Sequence, residues 1–164
     1  MERRIIITGE INDESYKEFS SSLLQLEEIS KTQSIVLELS SEGGDAYCAL
    51  AFSGRMRNSP CDIIIHAYGL VASAAVLILA SGDTRYIAKE AWVMVHEDSL
   101  SELEGNVTQL EKTAKHLRRL EDQWAWLLES MTSTNLEEWA RLHKEEKFLT
   151  PQECIELGLV DKII

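Results

Sequence analysis

Nothing constrains this 164-residue chain more than the run from Ile63 to Ala80. Ile63-Ile64-Ile65 reads as a short buried strand. Val76-Leu77-Ile78-Leu79-Ala80 reads as a buried helix. The residues between them must turn the chain, and Gly69 is predicted to supply that turn. A buried strand feeding a buried helix commits the chain to a sheet with helices packed on it. Ser73 is the one polar side chain in this turn and the first helical turn. It would lie beside backbone N–H groups that have no intrahelical partner, near the positive end of a helix dipole. That suits a nucleophile whose product charge must be stabilised. A lone serine there is more often a small residue that lets a helix pack closely, so its partners decide.

The same run is long enough to raise a membrane span. His66, Gly69 and Ser73 interrupt it, so no span and no membrane partner are expected. With 45% hydrophobic and 27% charged residues, the chain is globular. Its length fits a single domain over 1–164. A net charge of −12 argues against a nucleic-acid partner, which would need a basic face. Cys48, Cys61 and Cys154 lack metal-ligand spacing and leave an odd thiol, so a reduced, cytoplasmic compartment is expected. Met1-Glu2-Arg3-Arg4 runs straight into Ile5-Ile6-Ile7, and no signal peptide is expected.

Taken in order, Ile5 to Ile7 is a strand closed by Thr8-Gly9. Tyr16, Phe19, Leu23, Leu26 and Ile29 recur at steps of three and four, which predicts an amphipathic helix over Ser15 to Ile29. Ile35 to Leu39 is a second strand, ending in a glycine loop, Ser40-Ser41-Glu42-Gly43-Gly44-Asp45. Ala46 to Met56 reads as a helix, broken by Asn58-Ser59-Pro60. Thr84 to Ala88 and Ala91 to Val95 are strand candidates, and His96 ends the second. Ser99 to Gly105 reads as a polar loop. A long helix follows over Val107 to Met131, roughly 35–40 Å. Asn135 to His143 is a shorter one. Thr150-Pro151-Gln152-Glu153 is a capping box with proline at the first helical position, and Gly158 stops that helix. The end of the chain reads as a β extension. The order strand, loop, helix predicts an α/β domain with largely parallel strands.

Three features then fall at strand ends: Gly43-Gly44, Ser73 and His96. Ligands of open α/β folds gather at the carboxyl ends of strands. Ser73 with His96 would form a nucleophile–base pair. The histidine needs an acceptor to fix its tautomer, and Glu97, Asp98, Glu145, Glu146 and Asp161 are all candidates. Backbone N–H groups of Gly44 and Ala74 could hold an oxyanion. His66 reads as a satisfied core residue, and His116 and His143 as solvated. No metal site, nucleotide-binding loop or cofactor is expected.

These residues, taken together, resemble the proteolytic subunit of the Clp protease (ClpP) family, serine peptidases of the crotonase-like fold. Arg4-Ile5-Ile6-Ile7-Thr8-Gly9-Glu10-Ile11 is similar to the family's opening strand. Ser41-Glu42-Gly43-Gly44 resembles its Ser-Pro-Gly-Gly loop. Gly69-Leu70-Val71-Ala72-Ser73-Ala74-Ala75 resembles its nucleophile motif, and Met94-Val95-His96 its histidine strand. Phe148-Leu149-Thr150 and Glu156-Leu157-Gly158-Leu159-Val160-Asp161 resemble its closing signature. The five motifs come in family order and cover nearly the whole chain.

The resemblance implies repeated β-β-α units with a long protruding handle helix, here Val107–Met131. It implies Ser73 as nucleophile, His96 as general base, and Gly44 and Ala74 as oxyanion donors. The family's aspartate stands two residues before Phe-Leu-Ser/Thr, a position held here by Glu146. Peptides or unfolded proteins are the implied substrates. Heptameric rings, stacked in pairs through the handle, are the implied assembly, with Leu117, Leu120 and Trp124 at the contact. An ATP-dependent unfoldase is the family's partner. Several departures argue against that partnership: the short stretch before Arg4, Glu42 for proline, Glu97-Asp98 for Gln-Pro, and Val36 and Glu38 where the family keeps docking aromatics. The alternative expectation is a structural or regulatory ring subunit of low activity. A third is another crotonase-fold enzyme acting on acyl-CoA thioesters.

Overall fold

A computed structural model describes residues 3–97 and 106–164. Asp98 and the expected Ser99–Gly105 loop lie outside the described residues. Strand β1 spans Arg4–Ile11, helix α1 Asp13–Ile29, β2 Ile35–Gly44 and α2 Ala46–Arg57. Strand β3 spans Ile63–Ala72, α3 Ala74–Ala80, β4 Thr84–Ile87 and β5 Trp92–Met94. Helices α4 (Val107–Met131) and α5 (Leu136–Lys144) follow, then β6 (Phe148–Leu149), α6 (Pro151–Glu156) and β7 (Lys162–Ile163). The strands form one sheet with β1, β2, β3, β4 and β7 side by side, all parallel.

Two expectations at the centre of this sheet need correction. Gly69 is not a turn, because β3 runs through it to Ala72. At Gly69 (φ +58) the strand changes partners instead. Ile64 to Ala67 pair with β4, whereas Leu70 to Ala72 pair with β5. The chain reverses only at Ser73. Likewise Ser40 to Gly44 are not a loop but the continuation of β2. Both extensions push the carboxyl ends of β2 and β3 to the same edge.

The helices begin where their caps dictate. Asn12 accepts from the Ser15 N–H at 3.0 Å, so α1 starts two residues before the expected Ser15. Phe19 and Leu23 are buried on it, and Phe19 stacks on Phe52 of α2 at 4.6 Å. Every residue of α3 is buried, which explains its lack of polar side chains. Helix α4 is buried at Leu120, Trp124, Ala125, Leu127 and Leu128. Leu120 and Trp124 are thus covered by their own chain, which overturns their expected place at a subunit contact. Residues 107–119 include no buried residue, so the first half of α4 stands clear of the core.

One buried charge joins α1 to α2. Glu27 is 7% exposed and accepts from both terminal nitrogens of Arg55, with Ser59 Oγ donating at 2.7 Å. The Arg55 hydrogen bonds hold its carboxyl below the ordinary value of 4.5, against the opposing effect of burial. A depressed carboxylate pKa contributes stability that is present above the unfolded value and lost as pH falls through the folded one. Glu27→Gln should therefore cost about 2–3 kcal/mol at pH 7. The difference from wild type should close as pH falls below 4.5. Urea denaturation at pH 7 and in acid checks this, and a deficit that persists undiminished in acid would refute it.

Candidate active site

The turn after β3 holds Ser73 at φ 53, ψ −125, in the left-handed half of φ space that non-glycine residues seldom enter. Two neighbours impose that conformation. The Ser73 N–H donates to the Met94 carbonyl at 2.8 Å, tying the turn to β5. Behind the turn, Gly43 (φ +97) leaves no room for a side chain: a Cβ there would lie 2.7 Å from both Ala72 O and Ser73 Cβ. The glycine pair is therefore the packing surface that sets where Ser73 stands. Gly44, beside it, is in register with Ile11 of β1.

His96 follows two residues after β5, so the strand that fixes the Ser73 backbone also delivers the imidazole. Its Nδ1 lies 2.6 Å from the main-chain oxygen of Glu97. A carbonyl oxygen can only accept, so Nδ1 carries the proton and the neutral ring keeps its lone pair on Nε2. That is the nitrogen a general base must present. The segment is held from outside as well. The Val95 N–H donates to Lys147 O at 3.0 Å, and the Glu97 N–H to His143 O at 3.1 Å.

Ser73, Ala74 and His96 line one cavity of about 340 Å³. Its walls are α4, through Arg118, Glu121, Asp122, Trp124 and Ala125, and α5, through Leu136, Ala140, His143 and Lys144. Among the described residues the Ser73 hydroxyl makes no hydrogen bond, so serine and imidazole share the cavity without yet touching.

The five candidate acids separate clearly. Asp161 belongs to Arg85, accepting from its guanidinium at 2.7 Å and from its backbone N–H. Glu145 pairs with Arg141. Glu97 lines the cavity and supplies the carbonyl that orients His96. Glu146 is exposed, at φ 49, and its side chain makes no hydrogen bond among the described residues. Its position is nonetheless opposite His96, between the two backbone bonds that bracket that residue.

The other histidines also sort differently from expectation. His143 is not a solvated residue: it is half-buried and lines the cavity. The spacing Leu136, Ala140, His143 on one helical face was the available signal. His66 is half-exposed between Tyr68 and Tyr86 rather than a core residue. His116 is exposed and hydrogen-bonds the Tyr47 hydroxyl. The three cysteines are free and buried, and burial pushes the Cys48 and Cys154 thiols up to about 12, so neither is a thiolate nucleophile near neutrality. Among the described residues no cluster of three metal-ligating side chains occurs, and no helix is long and apolar enough to cross a membrane.

Comparison with known proteins covers the whole chain. The family profile described as Clp protease matches residues 1–164. The chain is 32% identical to the ATP-dependent Clp protease proteolytic subunit 2 of Treponema denticola, over 98% of this chain and 81% of that protein. It is 27% identical to proteolytic subunit 1 of Corynebacterium jeikeium, over 99% of this chain and 87% of the relative. With subunit 1 of Thermobifida fusca the identity is 29%, over 99% and 75%.

Proposed function

Since the chain belongs to the Clp protease family, we propose that it is a serine peptidase subunit of a self-compartmentalising ring, cutting peptides or unfolded proteins at Ser73. The observation that carries this reading is the tautomer of His96, whose Nδ1 proton is committed to the Glu97 carbonyl in a cavity shared with Ser73. Nε2 removes the proton from Ser73 Oγ as the oxygen attacks the scissile carbonyl. Backbone N–H groups of Gly44 and Ala74 hold the oxyanion. His96 then passes the proton to the leaving amine, and water repeats the sequence on the acyl-enzyme. Glu146 is the proposed third member. To act, its side chain turns from solvent to Nδ1 and takes the place of the Glu97 carbonyl. Glutamate serves that role in some Ser-His hydrolases.

The second reading is a ring subunit of low activity. It is favoured by the exposed Glu146 and the carbonyl already bound to His96. A fluorophosphonate probe tests the choice. Labelling that disappears in Ser73→Ala supports the peptidase, and an assembled ring that takes no label supports the structural subunit. An acyl-CoA reading would need phosphate-binding groups and gains nothing from a Ser-His cavity. An unfoldase partner is a further proposal, tested by adding a Clp ATPase and a folded substrate.

For assembly we propose contact through the exposed half of α4. Val107, Leu110, Ala114 and Leu117 recur there at steps of three and four, none of them buried in their own chain. Leu110→Glu combined with Ala114→Glu should leave the fold intact and dissociate the oligomer, because two charges would enter the contact unpaired. Light scattering with circular dichroism reads both. A wild-type monomer at micromolar concentration would sink the proposal.

A further inference from the structure

We propose that His143 is a specificity-determining residue of the Ser73 cavity. It selects peptides whose side chain next to the scissile bond has an apolar stem and a hydrogen-bond donor at its tip. This rests on the peptidase reading of the same cavity.

The slot is built for such a side chain. Leu136, Ala140 and His143 follow at steps of four and three on α5, a stripe about 10 Å long. Trp124 and Ala125 of α4 line the same cavity and add apolar surface. The stripe ends at the reactive segment, because the His143 carbonyl accepts from Glu97 N–H, one residue after His96.

The imidazole at that end is rigid and of defined chemistry. His143 Nδ1 lies 2.6 Å from the Trp139 carbonyl, so Nδ1 is the donor and the neutral ring presents Nε2 as an acceptor. Trp139 is fully buried, its indole N–H donates to Thr132 Oγ1 at 2.9 Å, and its ring meets His143 edge to face at 6.2 Å. Both the backbone and the ring of His143 are therefore held by groups that are themselves held, which is what a preorganised contact requires. Around it, Glu97, Glu121 and Asp122 add acceptors, against the cations Arg118 and Lys144. The balance favours a donor on the substrate. Aliphatic stems fit the same slot but leave this acceptor end unmatched.

A donor tip can be neutral, as in tyrosine, or cationic, as in lysine. Four peptides differing only at that position distinguish them: tyrosine against phenylalanine, and lysine against norleucine. Wild type should cleave at least one donor-tipped member about three- to tenfold better in kcat/KM than its partner, the range of one net hydrogen bond. His143→Leu should erase the preference while still cleaving the apolar peptides. His143→Gln, whose amide oxygen accepts, should restore part of it. Equal cleavage within both pairs by wild type, or an unchanged preference in His143→Leu, overturns the proposal. Failure of Ser73-dependent cleavage for all four peptides overturns both it and the peptidase reading.

Discussion

Replacing Ser73 with alanine, or His96 with alanine, is expected to lower kcat for peptide hydrolysis by about 10⁴-fold or more, with little change in stability. The two losses should not add, because neither group acts without the other. The fold should survive because the bonds that hold the turn are main-chain bonds: Ser73 N–H to Met94 O and Val95 N–H to Lys147 O are indifferent to both side chains. Glu146 extends the same series. Glu146→Gln keeps the size, removes the charge and should cost about 10²–10⁴-fold if the carboxylate reaches His96. Glu145→Gln should change little, since Glu145 is engaged by Arg141. Stopped-flow or steady-state peptide assays decide. Wild-type rates in Ser73→Ala would dismiss the site. Wild-type rates in Glu146→Gln alone would leave the Glu97 carbonyl as the group that orients the imidazole.

The second large effect should come from a residue that does no chemistry. Gly43→Ala places a methyl group where Ala72 O and Ser73 Cβ already stand at 2.7 Å, with Ala74 N at 3.0 Å, and at φ +97. None of these atoms belongs to the far end of a flexible side chain, so the turn must move. A displacement near 1 Å at a reacting atom costs about 10²-fold in rate. The strained φ adds about 1–2 kcal/mol of destabilisation. Gly69→Ala is the comparison: it also has positive φ, but its Cβ would meet only Ser40 Oγ at 3.2 Å. We expect Gly43→Ala to fold, to lose fluorophosphonate labelling and to hydrolyse peptides about 10²-fold more slowly, with Gly69→Ala affected mainly in thermal stability. Equal labelling of the two variants would refute the positional role given to Gly43.

Much of this arrangement is legible without coordinates, and the exceptions have physical causes. Steps of three and four place α4 at Val107–Met131 because its apolar residues face one side over seven turns. Thr150 and Pro151 mark α6 because capping chemistry is local. Gly69 misleads because positive φ reads the same in a turn as in a strand exchanging one neighbour for another. Only the register of β4 and β5 tells them apart. Ser73 and His96 could be paired from strand order. The acid could not, since Asp161 and Glu145 are taken by Arg85 and Arg141, partners distant in sequence or invisible without rotamers. His143 and Trp124 escape for a related reason. A helical face facing a cavity has the same periodicity as one facing the core.

The cavity is walled by α4 and α5, and the catalytic segment is pinned by the Lys147 and His143 carbonyls. During synthesis Ser73 and His96 leave the ribosome well before those residues exist. A nascent chain therefore carries its nucleophile and base without the wall that encloses them or the bonds that align them. Proteolytic competence arrives only with the C-terminal third of the polypeptide, so order of translation itself delays activity until the domain is nearly whole.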